Sequence, residues 1–255
     1  MLNAIQERFS QGHRTSRYPA EPPQMPDRLR GLPLLDASRC PEGCQACADA
    51  CPTDAIALKA DDLQLDLGRC LFCTDCMRAC PEGAINYSQE YRLATRTREQ
   101  LVINGKALEL AEALDDKTRK LFGRSLKLRQ VSASGCNGCE ADSNVLGTLV
   151  FDLGRFGIQF VASPRHADGL LITGPVAQNM RLALEKTYAA VPAPKLVIAV
   201  GSCAIAGGPY IGHSEVNNGA DGIVPVDLYI PGCPPHPYTI LDGLLRLLGR
   251  LEEKR

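Results

Sequence analysis

From residue 126 onward, short apolar runs alternate with stretches of helical spacing. The pattern predicts strands over Leu126–Val131, Ile158–Ala162, Gly169–Thr173, Leu196–Val200 and Val226–Ile230. Helices are predicted over Ser143–Leu153, Val176–Ala190 and Pro237–Leu251. Such alternation is the signature of an α/β domain with a mostly parallel sheet. Upstream, Ala107, Leu108, Ala111, Leu114, Thr118, Leu121 and Phe122 recur at helical spacing behind a break at Asn104-Gly105, predicting a connecting helix. The proline-rich stretch from Pro19 to Pro33 reads as an extended arm.

Between arm and connector the apolar periodicity gives way to cysteines. Cys40, Cys44, Cys47 and Cys51 form one run, and Cys70, Cys73, Cys76 and Cys80 another. Residues 44 to 56 recur 29 positions later as residues 73 to 85, so the unit is duplicated. The second copy reads C-x-x-C-x-x-C-x-x-x-C-P, the bacterial ferredoxin spacing in which three close thiolates hold one 4Fe-4S cluster and the fourth crosses to the other. On that logic Cys40, Cys44, Cys47 and Cys80 are the ligands of a first cluster, and Cys70, Cys73, Cys76 and Cys51 those of a second. The first copy has one residue more than usual between Cys40 and Cys44, which Gly43 would absorb in a left-handed turn. Paired zinc sites are the alternative, but they call for C-x-x-C pairs separated by a knuckle.

The remaining four of the 12 cysteines are Cys136, Cys139, Cys203 and Cys233. Each follows a predicted strand. Ligands in open α/β sheets gather outside the carboxyl ends of the strands, so these loops can converge on a third 4Fe-4S cluster. Glycines and prolines flank them, as in Gly201-Ser202-Cys203 and Pro231-Gly232-Cys233-Pro234-Pro235. Such loops bring backbone N–H groups close to cluster sulfur, which raises the reduction potential. Cys136-x-x-Cys139 alone would read as a thioredoxin-like dithiol.

Charge and composition narrow the remaining choices. Residues 36 to 90 carry four basic and ten acidic residues, whereas residues 91 to 129 carry ten basic and five acidic. The basic stretch could contact the acidic module, a partner subunit or anionic lipid, or could be a solvated face. A net charge of -1 and the lack of an aromatic-basic platform argue against nucleic-acid binding. There is no Gly-x-Gly-x-x-Gly turn and no Walker loop. No run suits a signal-peptide core or a membrane span, so a cytoplasmic location is expected, where dense cysteines serve as metal ligands.

Residues 14 to 101 resemble the two-cluster ferredoxin subunit of formate hydrogenlyase and its relative in respiratory complex I. The motifs that carry this are Ser16-Arg17-Tyr18-Pro19, Leu67-Gly68-Arg69-Cys70-Leu71-Phe72-Cys73 and Ser88-Gln89-Glu90-Tyr91. Residues 126 to 255 resemble the small subunit of membrane-bound, complex I-related group 4 nickel-iron hydrogenases and the complex I 20 kDa subunit. Here the motifs are Gly135-Cys136-Asn137-Gly138-Cys139-Glu140, Ser163-Pro164-Arg165-His166-Ala167-Asp168, Gly201-Ser202-Cys203-Ala204 and Ile230-Pro231-Gly232-Cys233-Pro234-Pro235. The C-x-x-C at Cys136 favours the hydrogenase branch, because the complex I subunit has adjacent cysteines there. Where that family has an Ile-Glu pair this chain has Ala141-Asp142.

The resemblance implies an α+β ferredoxin-like module with two 4Fe-4S clusters, followed by a flavodoxin-like α/β domain with a third. The expected division is an extended arm at 1–35, the two-cluster domain at 36–90, a basic helical linker at 91–125 and the small-subunit-like domain at 126–255. Glu140, Asp142, Arg165 and His166 are the residues implied to tune the third cluster. His13, His213 and His236 lack comparable context and read as ordinary surface or turn residues. The implied function is electron transfer to or from the active site of a separate nickel-iron large subunit, because no cysteine is left for nickel-iron ligands here. Membrane subunits and a soluble redox donor or formate dehydrogenase module are implied as further partners, with peripheral attachment to the cytoplasmic face of the membrane. A nickel-free quinone- or sulfur-handling assembly and a soluble ferredoxin-type carrier stand as alternatives.

Overall fold

The computed structural model describes residues 2–12, 14–59 and 62–251. A helix, α1 (Leu2–Gln11), opens the arm that was expected to be extended throughout. His13 lies outside the described residues. The first half then runs through β1 (Pro33–Leu35), α2 (Ala46–Asp49), β2 (Ile56–Lys59), β3 (Asp62–Asp66), α3 (Asp75–Ala79) and β4 (Ile85–Tyr87). The repeat is visible in space: each cysteine run contains one short helix and is followed by one strand. β1 pairs antiparallel with β4, and the β2–β3 hairpin is extended by β5 (Val102–Ile103). Along β3, Leu63 and Leu65 are buried while Asp62, Gln64 and Asp66 face outward, the period-2 alternation of a strand with one covered face.

The connector behaves differently from its periodicity. The helix predicted from residue 107 begins only at Asp116, as α4 (Asp116–Phe122), where the Asp115 carboxylate accepts the N–H groups of Lys117 and Thr118 at 3.0 Å each. Upstream of that cap, backbone donors have found tertiary acceptors. The Ala111 N–H bonds Ala94 O at 2.7 Å and the Leu114 N–H bonds Leu247 O at 2.9 Å. The apolar positions Ala111, Leu114 and Phe122 are buried all the same.

The second half contains β6 (Leu126–Ser132), α5 (Gly138–Val145), β7 (Ile158–Phe160), β8 (Gly169–Thr173), α6 (Gln178–Ala190), β9 (Leu196–Val200), α7 (Ser202–Ala206), β10 (Leu228–Ile230) and α8 (Pro237–Leu247). The sheet is entirely parallel, in the order β10-β9-β8-β6-β7. This is the flavodoxin-like order, with the crossover reversing at β6 and β8. Every residue of β8 and β9 is buried, as covering on both faces requires. The helix predicted over Ser143–Leu153 is displaced to α5, because Asn137, at φ 73, turns the Cys136 loop straight into a helix at Gly138. Cys203, expected in a loop, sits on the single helical turn of α7.

The two halves share hydrophobic cores. Leu65, Leu67 and Phe72 pack in one cluster with Ala204, Ile205 and Tyr229. Thr95 and Tyr229 exchange backbone hydrogen bonds of 3.0 and 2.9 Å, so the start of the connector covers the β10 edge of the sheet. The arm is fastened by Arg155, whose guanidinium donates to the carbonyls of Ser16 at 2.7 Å and Tyr18 at 2.8 Å. Helix α8 is buried along nearly its whole length, including Asp242, which accepts from Tyr18 Oη at 2.9 Å and Arg246 Nε at 2.7 Å.

Candidate metal centres

The chain gathers its cysteines into three sets of free thiols. Cys40 lies close enough to Cys80 and Cys44 for their charges to interact, and Cys47 to Cys40 and Cys80. In the same way Cys51 joins Cys70, Cys73 and Cys76. The Cys-Pro thiol of each run is thus paired with the triplet of the other. Cys139 and Cys203 interact with each other and with Cys136 and Cys233.

The duplicated loops place matching donors on sulfur. The Ala55 N–H donates to Cys51 Sγ at 3.2 Å, and its counterpart 29 residues on, the Ala84 N–H, donates to Cys80 Sγ at 3.3 Å. Just before each donor comes a left-handed residue, Asp54 at φ 49 and Gly83 at φ 62, which turns the N–H back toward the thiol. Gly43 and Phe72 are likewise equivalent and both left-handed, at φ 74 and 52. The left-handed turn at Gly43 is therefore common to both copies and is not peculiar to the longer Cys40–Cys44 loop. The Phe72 N–H donates to Cys70 Sγ at 3.3 Å, and Tyr87 Oη stands 3.7 Å from both Cys70 Sγ and Cys76 Sγ. The sequence offered no signal for Tyr87 beyond its place at the end of a repeat.

In the third set, Cys136 and Cys139 follow β6, Cys203 is on α7 behind β9 and Cys233 follows β10. All three loops leave the carboxyl edge of the sheet. The glycines here are spatial requirements. A Cβ on Gly201, at φ +87, would lie 2.4 Å from Cys139 Sγ, and one on Gly208, at φ +57, 2.5 Å from Cys203 Sγ.

These sets fit an iron–sulfur group. Sulfur accepts N–H bonds weakly as a thiol and well as a thiolate, so the aimed amides suit metal-bound sulfur. Burial first, and then the charges of neighbouring cysteines, push the Cys47 thiol to about 11 and the Cys70 and Cys203 thiols to about 12, and Cys139 rises as well. Neutral protein surroundings thus oppose ionisation, which a bound cation reverses. Among the described residues, no three His, Cys, Asp or Glu side chains are close enough to hold a single ion. Tetrahedral zinc, with Zn–S near 2.3 Å, requires sulfurs about 3.8 Å apart.

The tuning candidates separate into two pairs. Glu140 is buried beside the third set, its Oε1 accepting from Ser132 Oγ at 2.6 Å and Thr173 Oγ1 at 2.7 Å. Asp142 is partly buried, and desolvation raises its pKa. It lines a cavity of about 430 Å³ shared with Arg28, Arg30, Phe72, Cys233 and His236. Arg165 and His166 are instead exposed on a 3₁₀ turn, and neither contributes to the shifts of Cys139, Cys203 or Cys233. The imidazoles of His236 and His213 accept the N–H groups of Tyr238 and Glu215, a helix-capping and a turn role.

Comparison with known proteins agrees with this geometry. Residues 39–84 match the 4Fe-4S dicluster domain, and residues 136–247 match the NADH ubiquinone oxidoreductase 20 kDa subunit. The chain is 45% identical over 135 residues to formate hydrogenlyase subunit 7 of Escherichia coli K12, covering 53% of each. It is 41% identical over 132 residues to a probable membrane-bound hydrogenase subunit of Pyrococcus furiosus, covering 52% of this chain and 79% of that one. With an NADH-quinone oxidoreductase subunit of Heliobacterium modesticaldum the identity is 41% over 121 residues, covering 47% and 69%. The chain spans about half the length of the formate hydrogenlyase subunit. A dicluster module joined to a flavodoxin-like sheet defines an iron–sulfur component of an oxidoreductase. The chain belongs to the family of the complex I 20 kDa subunit and its counterparts in membrane-bound hydrogenases. No helix among the described residues is long and apolar enough to cross a membrane.

Proposed function

We propose that this chain is the electron-transfer subunit of a membrane-bound, complex I-related nickel-iron hydrogenase of the formate hydrogenlyase type. Cys40, Cys44, Cys47 and Cys80 would hold the first 4Fe-4S cluster, Cys70, Cys73, Cys76 and Cys51 the second, and Cys136, Cys139, Cys203 and Cys233 the third. Such clusters supply one-electron storage at potentials tuned by burial and by hydrogen bonds to sulfur. The division into an arm at 1–35, a dicluster domain at 36–90, a linker at 91–125 and an α/β domain at 126–255 belongs to this reading. So do a nickel-iron large subunit against the third set, membrane subunits anchoring the assembly at the cytoplasmic face, and a soluble donor or formate dehydrogenase module.

The observation that carries the reading is the contact between the two halves at the cysteine loops: Ser202 Oγ, next to Cys203, donates to the Cys70 carbonyl at 2.5 Å, and Phe72 and Cys233 line one cavity. It supports a relay in which the second and third sets are neighbours. Joining the modules in one chain keeps the carriers at fixed separation, so transfer does not wait for diffusion. Glu140 and Asp142 would set charge near the third site. The C-x-x-C at Cys136 and Cys139 favours the hydrogenase branch.

The test is iron content with low-temperature EPR on anaerobically prepared chain. About twelve irons and three cubane signals are expected; zinc in their place removes the proposal. The identity with the NADH-quinone oxidoreductase relative supports a second reading, a nickel-free assembly handling a quinone or sulfur compound. Nickel in the purified, active complex decides for the hydrogenase, and its absence for the alternative.

A further inference from the structure

Ser202 stands where the two halves meet, 1% exposed, at the first residue of α7. Its Oγ is 2.5 Å from the Cys70 carbonyl and 3.1 Å from the Gly232 carbonyl, and its backbone N–H donates to Gly232 O at 2.9 Å. A hydroxyl has one proton to give. Gly232 O already receives the amide, and Cys70 O is nearer, so the proton belongs to Cys70. Gly201, not Ser202, is the N-cap of α7, so the Ser202 hydroxyl does not cap the helix and reaches out to the other half of the molecule.

We propose that Ser202 is a positioning residue that fixes the separation of the second and third cysteine sets. It is bonded covalently to Cys203 and through Gly232 to Cys233, both of the third set, while its hydroxyl grips the backbone of Cys70, of the second. No other hydrogen bond among the described residues joins the Cys70–Cys80 segment to the loops carrying Cys203 and Cys233. The surroundings are closely packed: a Cβ on Gly68 would lie 2.8 Å from Ile205 Cγ2, one helical turn from Ser202. Loss of the hydroxyl leaves the buried Cys70 carbonyl without its donor, and the loop must move to satisfy it. The inference rests on the three-cluster reading given above.

The test uses the full chain, anaerobically loaded with iron and sulfide and fully reduced, with spin–spin coupling between the second and third clusters read by EPR. Ser202→Ala is expected to keep its iron but lose that coupling, with the coupling between the first and second clusters unchanged. Ser202→Thr, which retains the hydroxyl, is expected to restore it. Iron loss in Ser202→Ala that Ser202→Thr repairs also supports the proposal. Coupling unchanged in Ser202→Ala, or the same defect in both variants, overturns it. Unaltered chain that binds fewer than about twelve irons sinks the three-cluster reading itself, and does so before any variant is made.

Discussion

Gly201 leaves the space that the thiol of Cys139 occupies: a single methyl at residue 201 would sit 2.4 Å from that sulfur. The same glycine holds φ +87, a conformation that L side chains adopt only with strain. If the three sets hold clusters as proposed, Gly201→Ala is therefore expected to cost the third set its cluster and leave the other two in place. Iron should fall from about twelve to about eight per chain, with the two N-terminal EPR signals retained. Full iron content in the variant would refute the spatial argument.

Tyr87 addresses two sulfurs of the second set at 3.7 Å each. Hydrogen bonds to cluster sulfur stabilise the reduced, more negative state. Tyr87→Phe should lower the reduction potential of the cluster proposed for the second set without moving that proposed for the first, as measured by EPR-monitored redox titration.

Tyr18 and Asp242 are bonded at 2.9 Å across a separation of 224 residues. Removing the hydroxyl in Tyr18→Phe should destabilise the chain by about 1–3 kcal/mol, because the buried carboxylate loses a donor. Burial and then the Asp242 charge hold the Tyr18 phenol far above its ordinary range. The unfolded chain releases that proton near pH 10 and the folded chain does not. Stability from this group is thus complete below about pH 10 and declines as pH rises further. Denaturant midpoints of the two forms should differ at pH 8 and converge above about pH 10.

Arg155 secures the arm through two carbonyls, with one guanidinium spanning Ser16 and Tyr18. Arg155→Lys cannot reproduce that fork. Limited proteolysis should cut the 14–31 segment faster in the variant while leaving the sheet domain intact. Equal cutting rates would show that Tyr18 and its aromatic neighbours hold the arm without Arg155.

Strands Gly169–Thr173 and Leu196–Val200 were legible residue for residue, because strands buried on both faces appear as unbroken apolar runs. The connector was not. Its period of 3.6 marked Ala111, Leu114 and Phe122, which are buried, but also Ala107 and Leu121, which are exposed, and burial does not require a helix when Ala94 and Leu247 offer acceptors from outside the segment. The N-terminal helix at Leu2–Gln11 and the turn of helix at Cys203 were also unforeseen, the second because a single five-residue turn carries no period to read. For Arg165 and His166, a motif placed them in a loop without saying which way that loop faces, and the structure leaves them exposed.

Sequence alone determined what is local or repeated: the duplication at 29 residues, the alternation that makes a parallel sheet, and the four-by-three arithmetic of the cysteines. These follow from chain geometry and bonding chemistry, which depend on nearest neighbours. Only the tertiary structure decided that Phe72 and Cys233 line one cavity, that Tyr87 points at two thiols and that Ser202 crosses to Cys70. Those contacts join residues far apart in the chain through the packing of one half on the other, and no pattern within either half encodes how the two surfaces meet.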